Sequence, residues 1–397
     1  MAVPAASPGT ALSAASELFQ LLRDGEPHTR AALAHETGLA RSTIAARVDE
    51  LMKLGLVCGV DDGVSTGGRP PSRFAMNPAG GRVLAVDFGA SHLTVGVTDM
   101  MGTVIAHETI SNDVADGPEI VLERVTSISA GLLSGIGGDG ELVAVGVGVP
   151  GPVEHSTGRL SNPPIMPGWH DFDIPGWLGQ RLHAPVLVDN DVNVMALGER
   201  FRACPGVDHL IFVKVATGIG AGIISDGRLQ RGARGSAGDI GHIRLARGSD
   251  VPCRCGSRGC LEALASGPGI ARALRAQGVD AADGQSIIEL VKRGDLDAIQ
   301  AVRQAGRDIG EVLTSGVSFV NPSMIIIGGS MSQVGEHLLA GVREVIYTRS
   351  TPITTEHLMI AQSEAAELAG VIGAGILAID HVLSPAGIVE LSKRRAS

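Results

Sequence analysis

From residue 83 onward the chain keeps returning to one pattern: a short, mostly apolar run that stops on glycine or an acid, followed by a longer amphipathic stretch. The apolar runs fall at 83–87, 93–98, 143–149, 186–189, 210–215 and 324–327. A strand with one wet face alternates, so runs apolar on both faces belong at the centre of sheets covered by helices. Helical spacing fills the intervals, at about 118–134, 192–203, 297–318, 333–347 and 364–382. This alternation predicts an α/β fold. Glycine supplies 55 of 397 residues, about twice the usual ~7%. It shows no Gly-X-Y period, which excludes collagen. Asp87-x-Gly89 and Thr217-Gly218-Ile219-Gly220 are alike as glycine turns after apolar strands, which points to two related lobes.

The composition removes several function classes. At 44% apolar residues the chain can bury several cores and is not disordered. A net charge of −10 argues against a globally basic binder. Seven Phe, two Trp and one Tyr are too few for a stacking platform for single strands. No apolar run approaches the ~18 residues of a membrane span, and the start, MAVPAASPGT, has no signal-peptide pattern. The five cysteines are an odd set, three of them within 253–260, so no disulfide framework is expected. A cytoplasmic protein with no membrane contact is predicted.

Residues 1–80 read as a separate module. Leu12, Ala15, Leu18, Phe19 and Leu22 predict one helix, Ala31, Leu33 and Ala34 a second, and Ile44, Val48, Leu51, Met52 and Leu54 a third. A hairpin with a flexible tip through Gly67-Gly68-Arg69-Pro70-Pro71 follows. That order is a winged helix-turn-helix. Arg41, Ser42, Thr43 and Arg47 would meet the major groove of double-stranded DNA, and Arg69 a narrow minor groove. The other reading is a small helical protein-interaction domain. Seven basic against eight acidic residues, a net of −1, favour it.

Cys253-x-Cys255-x4-Cys260 follows Gly241-His242 in GHIRLARGSDVPCRCGSRGCLE. Three thiols and one imidazole suit one tetrahedral structural zinc per chain, and Arg254 and Arg258 would favour the thiolates. Free thiols or a redox sensor are the alternatives. Cys58 and Cys204 read as small buried hydrophobes. Leu187-Val188-Asp189-Asn190-Asp191 ends a strand where a helix begins, the usual place for a ligand in an open α/β sheet. Asn190 and Asp191 suit a pair of sugar hydroxyls, and Asp191 could serve as a general base. Equally, the two could simply cap the helix.

Taken together, residues 83–382 resemble the ROK family of sugar kinases and sugar-responsive repressors. The resemblance rests on Asp87-Phe88-Gly89, 146–152 (GVGVPGP), 188–193 (VDNDVN), 216–223 (ATGIGAGI), 234–242 (RGSAGDIGH) and 253–262 (CRCGSRGCLE). It implies a two-lobed, actin-like (ribonuclease H-like) fold with a sugar or sugar phosphate in the cleft. The predicted divisions are 1–80 for the winged helix-turn-helix with its linker and 81–195 for a first lobe, with helix 364–383 packing back on it. A second lobe at 196–363 would carry the zinc loop, and 384–397 would be a flexible tail. By position, Asn190, Asp191, Asp239, His242 and Glu262 would contact the sugar, with Asp239 standing where the family has glutamate. His242 would ligate zinc through one ring nitrogen and face the sugar with the other.

The family's kinases hold ATP with Asp-x-Gly-Gly-Thr-Lys, where this chain has Asp87-Phe88-Gly89-Ala90-Ser91-His92. Ala216 replaces a glycine in the second loop. With the winged helix, this resembles the repressor branch, such as the xylose and N-acetylglucosamine repressors. The expectation is a sugar-responsive repressor that is not an enzyme and does not use ATP. It would bind an inverted-repeat operator as a homodimer or dimer of dimers. Sugar would close the lobes and move the recognition helices through 77–82, where Pro78-Ala79-Gly80-Gly81 permits reorientation. The alternative is an ATP-dependent, glucokinase-like sugar kinase with a DNA-binding domain, in which Asp191 would be catalytic. A third class is an interaction protein titrated by another protein.

Overall fold

The computed structural model describes residues 18, 21–22, 26–60, 72–137 and 140–396. At the N-terminus α1 (Arg30–Thr37) and α2 (Arg41–Lys53) pack on a small antiparallel sheet. Its strands are β1 (His28–Thr29), β2 (Val57–Val60) and β3 (Arg73–Met76), in the order β1-β3-β2. Thr29 Oγ1 caps α1 by accepting from Ala32 N at 3.1 Å. Gly38 ends that helix in the left-handed region (φ 68°), which a side chain would disfavour. Ile44, Val48 and Leu51 of α2 face Leu18, Leu22 and Leu33, all fully buried. The wing tip with Arg69, and most of the helix expected at 12–22, lie outside the described residues.

The first lobe is built on β4 (Arg82–Phe88), β5 (His92–Thr98), β6 (Val104–Ser111), β7 (Leu142–Val149) and β10 (Val186–Asn190), in the order β10-β7-β4-β5-β6. β4, β7 and β10 are parallel, while β5 and β6 complete a meander. A short hairpin, β8 (Val153–Glu154) with β9 (Arg159–Leu160), follows β7. Helices α3 (Pro118–Ile136) and α4 (Ile174–Leu182) are next, and α5 (Asp191–Arg202) starts directly after β10. The second sheet has the order β13-β12-β11-β14-β15. It comprises β11 (Leu210–Val215), β12 (Ile219–Ser225), β13 (Arg228–Gln230), β14 (Met324–Gly328) and β15 (Met359–Gln362). Again a three-stranded meander leads into two parallel strands, so the lobes share one topology. Its helices are α6 (Leu261–Ala265), α7 (Gly267–Ala276), α8 (Gly284–Lys292), α9 (Leu296–Val320), α10 (Glu336–Arg349) and α11 (Pro352–Thr355).

Helix α12 (Ala369–Val382) returns to the first sheet and crosses α5 at van der Waals distance of the backbones. A methyl group on Gly373 would collide with Val194 O, and one on Gly198 with Ala369 O. Gly146 of β7 leaves the same kind of room for Ala374 O. Part of the glycine excess therefore serves close approach between elements rather than turns.

Two expectations about the C-terminus and the linker are corrected. Instead of a flexible tail there is a helix, α13 (Pro385–Ala396). Ser384 Oγ accepts from Gly387 N (3.0 Å) at its start. Ile388 and Leu391, about one turn apart, enter the core that also holds Leu54, Met76, Val143 and Ile379. Three apolar positions, Ile388, Val389 and Leu391, were too short a pattern to reveal this in sequence. The linker is likewise a packed joint. Pro78–Gly80 forms a 3-10 turn, and Asn77 Nδ2 donates to Gly55 O at 2.7 Å. A Cβ on Gly80 would lie 2.6 Å from that same oxygen. Arg395 closes the joint by donating to Leu54 O, to Gly80 O (2.7 Å) and to Glu141 Oε2 (2.8 Å). The winged unit and the first lobe thus share one core and one guanidinium.

Candidate functional site

The parallel strands β4, β7 and β10 end at Phe88, Val149 and Asn190, with Asp87 one residue before the end of β4, and α5 opens with Asp191. Asn190 Oδ1 accepts from Val192 N (3.0 Å) while its Nδ2 donates to Gly151 O (3.1 Å). It therefore caps α5 as well as standing at the strand end. Asp191 is buried, accepts from Val192 N (2.8 Å) and forms an ion pair with Lys214 of β11. Asp189 is also buried. It accepts from Asn190 N and Asn193 Nδ2, both at 2.8 Å, and from Arg231 Nε at 2.6 Å.

Burial, against the field of Lys214 and with that of Asp191, pushes the Asp87 carboxyl up to about 6. Burial alone would lower the Lys214 ammonium, but Asp191 and Asp87 outweigh it and hold it above its ordinary value. The sequence reading missed Lys214 and Arg231. Lys214 had a signal, a lone charge inside the otherwise apolar run LIFVKV; Arg231 had none. The first glycine loop is filled from within. The His92 ring stands where a Cβ on Gly89 would be, and Gly89 N donates to His92 O (2.9 Å).

From the second lobe, Glu262 Oε2 accepts from Ile219 N (3.3 Å) and would lie 2.8 Å from a Cβ on Gly218. Gly241, beside His242, packs on Ile219 O. The neighbouring Gly220 would meet Val192 Cγ2 at 3.0 Å if it carried a Cβ. The 216–220 loop thus brings Glu262 and the His242 segment toward the start of α5. Asp239 is exposed on the preceding loop.

His242, Cys253, Cys255 and Cys260 place their ligand atoms within 4.8 Å of one another. Cys253 Sγ is 3.8 Å from His242 Nδ1, and Cys255 Sγ is 3.7 Å from Cys260 Sγ. Metal–sulfur bonds of ~2.3 Å in a tetrahedron give edges of ~3.8 Å, so this set fits a metal ion. Nδ1 is the ring nitrogen of His242 nearest a sulfur, that of Cys253. Arg247 holds the base of this loop through a two-point ion pair with the buried Asp308 of α9.

In the winged unit Arg41 and Ser42 are exposed at the start of α2, with Thr43 and Arg47 half-buried behind them. One guanidinium nitrogen of Arg47, Nη1, is fully buried with no hydrogen-bond partner among the described residues. Arg30 braces α2 against the sheet through Asp49 (2.7 Å) and the Phe74 ring (4.6 Å).

The ROK family profile matches residues 83–381. The chain belongs to the ROK family. A winged helix-turn-helix DNA-binding profile matches residues 18–57. The ROK chain is 30% identical over 382 residues to the xylose repressor of Caldicellulosiruptor bescii, covering 92% of this chain and 95% of that one. A crystal structure described as a ROK family transcriptional regulator, homolog of E. coli MLC protein, superimposes with a TM-score of 0.84 at 24% identity, over 96% and 99% of the two chains. A ROK family glucokinase from Streptomyces griseus, solved with glucose and AMPPNP, matches at TM-score 0.66 and 29% identity. It covers 75% of this chain and 99% of its own. The fold is the actin-like ROK fold behind a winged helix-turn-helix.

Proposed function

We propose that this ROK protein is a sugar-responsive transcriptional repressor that binds operator DNA through α2 and releases it when a sugar occupies the cleft. The observation that carries this reading is the fusion itself. A winged helix shares one hydrophobic core with the lobe that presents Asp191, and a relative matched over 95% of its own length is named a xylose repressor. The kinase reading is less favoured because His92 fills the first glycine loop where backbone would have to approach phosphate.

In this reading Asn190, Asp191, Asp239, His242 and Glu262 hold the sugar hydroxyls. His242, Cys253, Cys255 and Cys260 hold one structural zinc, which fixes the His242 ring and so shapes the wall of the cleft. Arg41, Ser42, Thr43, Arg47 and Arg69 contact DNA. A dimer on an inverted repeat in the cytoplasm completes the picture, since one helix-turn-helix alone reads too few base pairs.

The test is a DNA titration of wild type and Asp191→Asn across a panel of sugars. One sugar should weaken wild-type binding by ~10–100-fold, while the variant binds DNA normally and ignores it. No response to any sugar, or an equal response from both proteins, would show that the cleft is not the sensor.

A further inference from the structure

The cleft floor holds two acids in the field of one cation: Lys214 pairs with Asp191, and its charge also acts on Asp87. Asp87 and Asp191 are 8% and 4% exposed. A Cβ on Gly148 would lie 3.6 Å both from Asp87 Oδ1 and from the Asp191 Cα, so the acids flank a single glycine. Two buried acids this near one another repel, and a positive charge near both is needed to hold them ionised. In a cleft that handles phosphates, a divalent ion supplies that charge.

Here the chain supplies it. Lys214 is the penultimate residue of β11, between the fully buried Val213 and Val215. Its partners in the strand register on either side are Gly220 and Gly328. The Phe212 ring and a Val192 methyl fill the space over those glycines, and the lysine reaches Asp191 Oδ2 as an ion pair within this packed surround. The other cation at the floor, Arg231, is engaged by Asp189 in the same way.

We propose that Lys214 is the built-in counter-ion of this cleft, standing where a divalent cation would sit, and that the effector is an uncharged sugar rather than a sugar phosphate or a metal–nucleotide. This rests on the reading of the cleft as a sugar site. A phosphate ester would bring a charge near −2 to a floor whose cations are already bonded to carboxylates. A neutral sugar needs only hydroxyl partners. Asp191 has about four acceptor positions, of which Val192 N and Lys214 take two.

Two measurements on the full chain decide it. The first compares free sugars with their phosphate esters, by calorimetry and by DNA release. The free member should bind at least ~30-fold more tightly; an ester that binds as well or better overturns the proposal. If neither member of any pair binds, the sugar-sensor reading fails instead, and the second measurement still tests the counter-ion. That measurement titrates Mn²⁺ by electron paramagnetic resonance. Wild type should take up none at the floor, Lys214→Ala should gain one ion, and Lys214→Ala/Asp87→Asn should lose it again. Mn²⁺ uptake by wild type that Asp87→Asn abolishes, or a folded Lys214→Ala that gains none, overturns the counter-ion role. Should Lys214→Ala not fold, the comparison of wild type with Asp87→Asn decides the same point.

Discussion

Asp87 makes the cleft floor a pH-dependent element of stability. Its carboxyl is pushed up to about 6, chiefly by burial, against 3.8 for the unfolded chain. Between those values the native state holds a proton that the unfolded state has released. The contribution is therefore complete below about pH 4 and lost as pH rises through about 6, amounting to ~3 kcal/mol. Asp87→Asn removes this dependence. Urea unfolding from pH 4.5 to 7.5 should show the variant gaining on wild type as pH rises, and a constant difference would refute the assignment. At this scale the sequence was partly legible. Asp191 and Asn190 stood out because polar residues end an apolar strand. The ion pairs that engage Asp191 and Asp189 come from β11 and from the loop after β13, distances in sequence that no local pattern spans.

Among the elements, the metal loop was the most readable, because ligand spacing is itself the signal and four side chains must converge. The prediction is one zinc per chain by elemental analysis, and none in Cys255→Ser. Chelation should lower the melting temperature of wild type and leave that of the variant unchanged, since the metal binds only the folded loop. The central strands were equally plain. By contrast β12 reads as a turn because Gly220 and Gly222 interrupt it, and only the packing of Val192 and Ala196 of α5 on that strand explains them. Helix α13 was invisible for a related reason: its Ile388 and Leu391 become a buried face only when a core from three distant segments is there to receive them. Ile388→Ala should cost ~2–5 kcal/mol, measurable by chemical denaturation; a loss under ~1 kcal/mol would mean that the helix is merely resting on the surface.

For the whole molecule, the shared core changes how a signal can travel. A loose linker would let the winged unit swivel independently of the cleft. The joint at Gly55, Gly80 and Arg395 instead makes the winged unit move with the first lobe. Arg395→Ala should therefore leave sugar affinity unchanged while reducing the effect of sugar on operator binding by about tenfold. Hydrogen exchange at 77–82 should rise in the same variant. Unchanged coupling would assign the joint to stability alone.

The crossing of α5 and α12 adds a mechanical consequence. Because backbone meets backbone at Gly198 and Gly373, no side chain is available there to absorb a tilt by changing rotamer. Helix α12 has 14 residues, a length of ~21 Å at 1.5 Å per residue. From the crossing at Gly373 to Val382 the arm is ~14 Å, so rocking it by ~10° would carry that end through ~2 Å, more than half of the ~3.4 Å step between successive base pairs along a strand. Ile376, Ile379 and Val382 of that arm sit in the core shared with the winged unit, so a shift of that size is passed to the recognition helix as a displacement comparable with the spacing of the bases it reads.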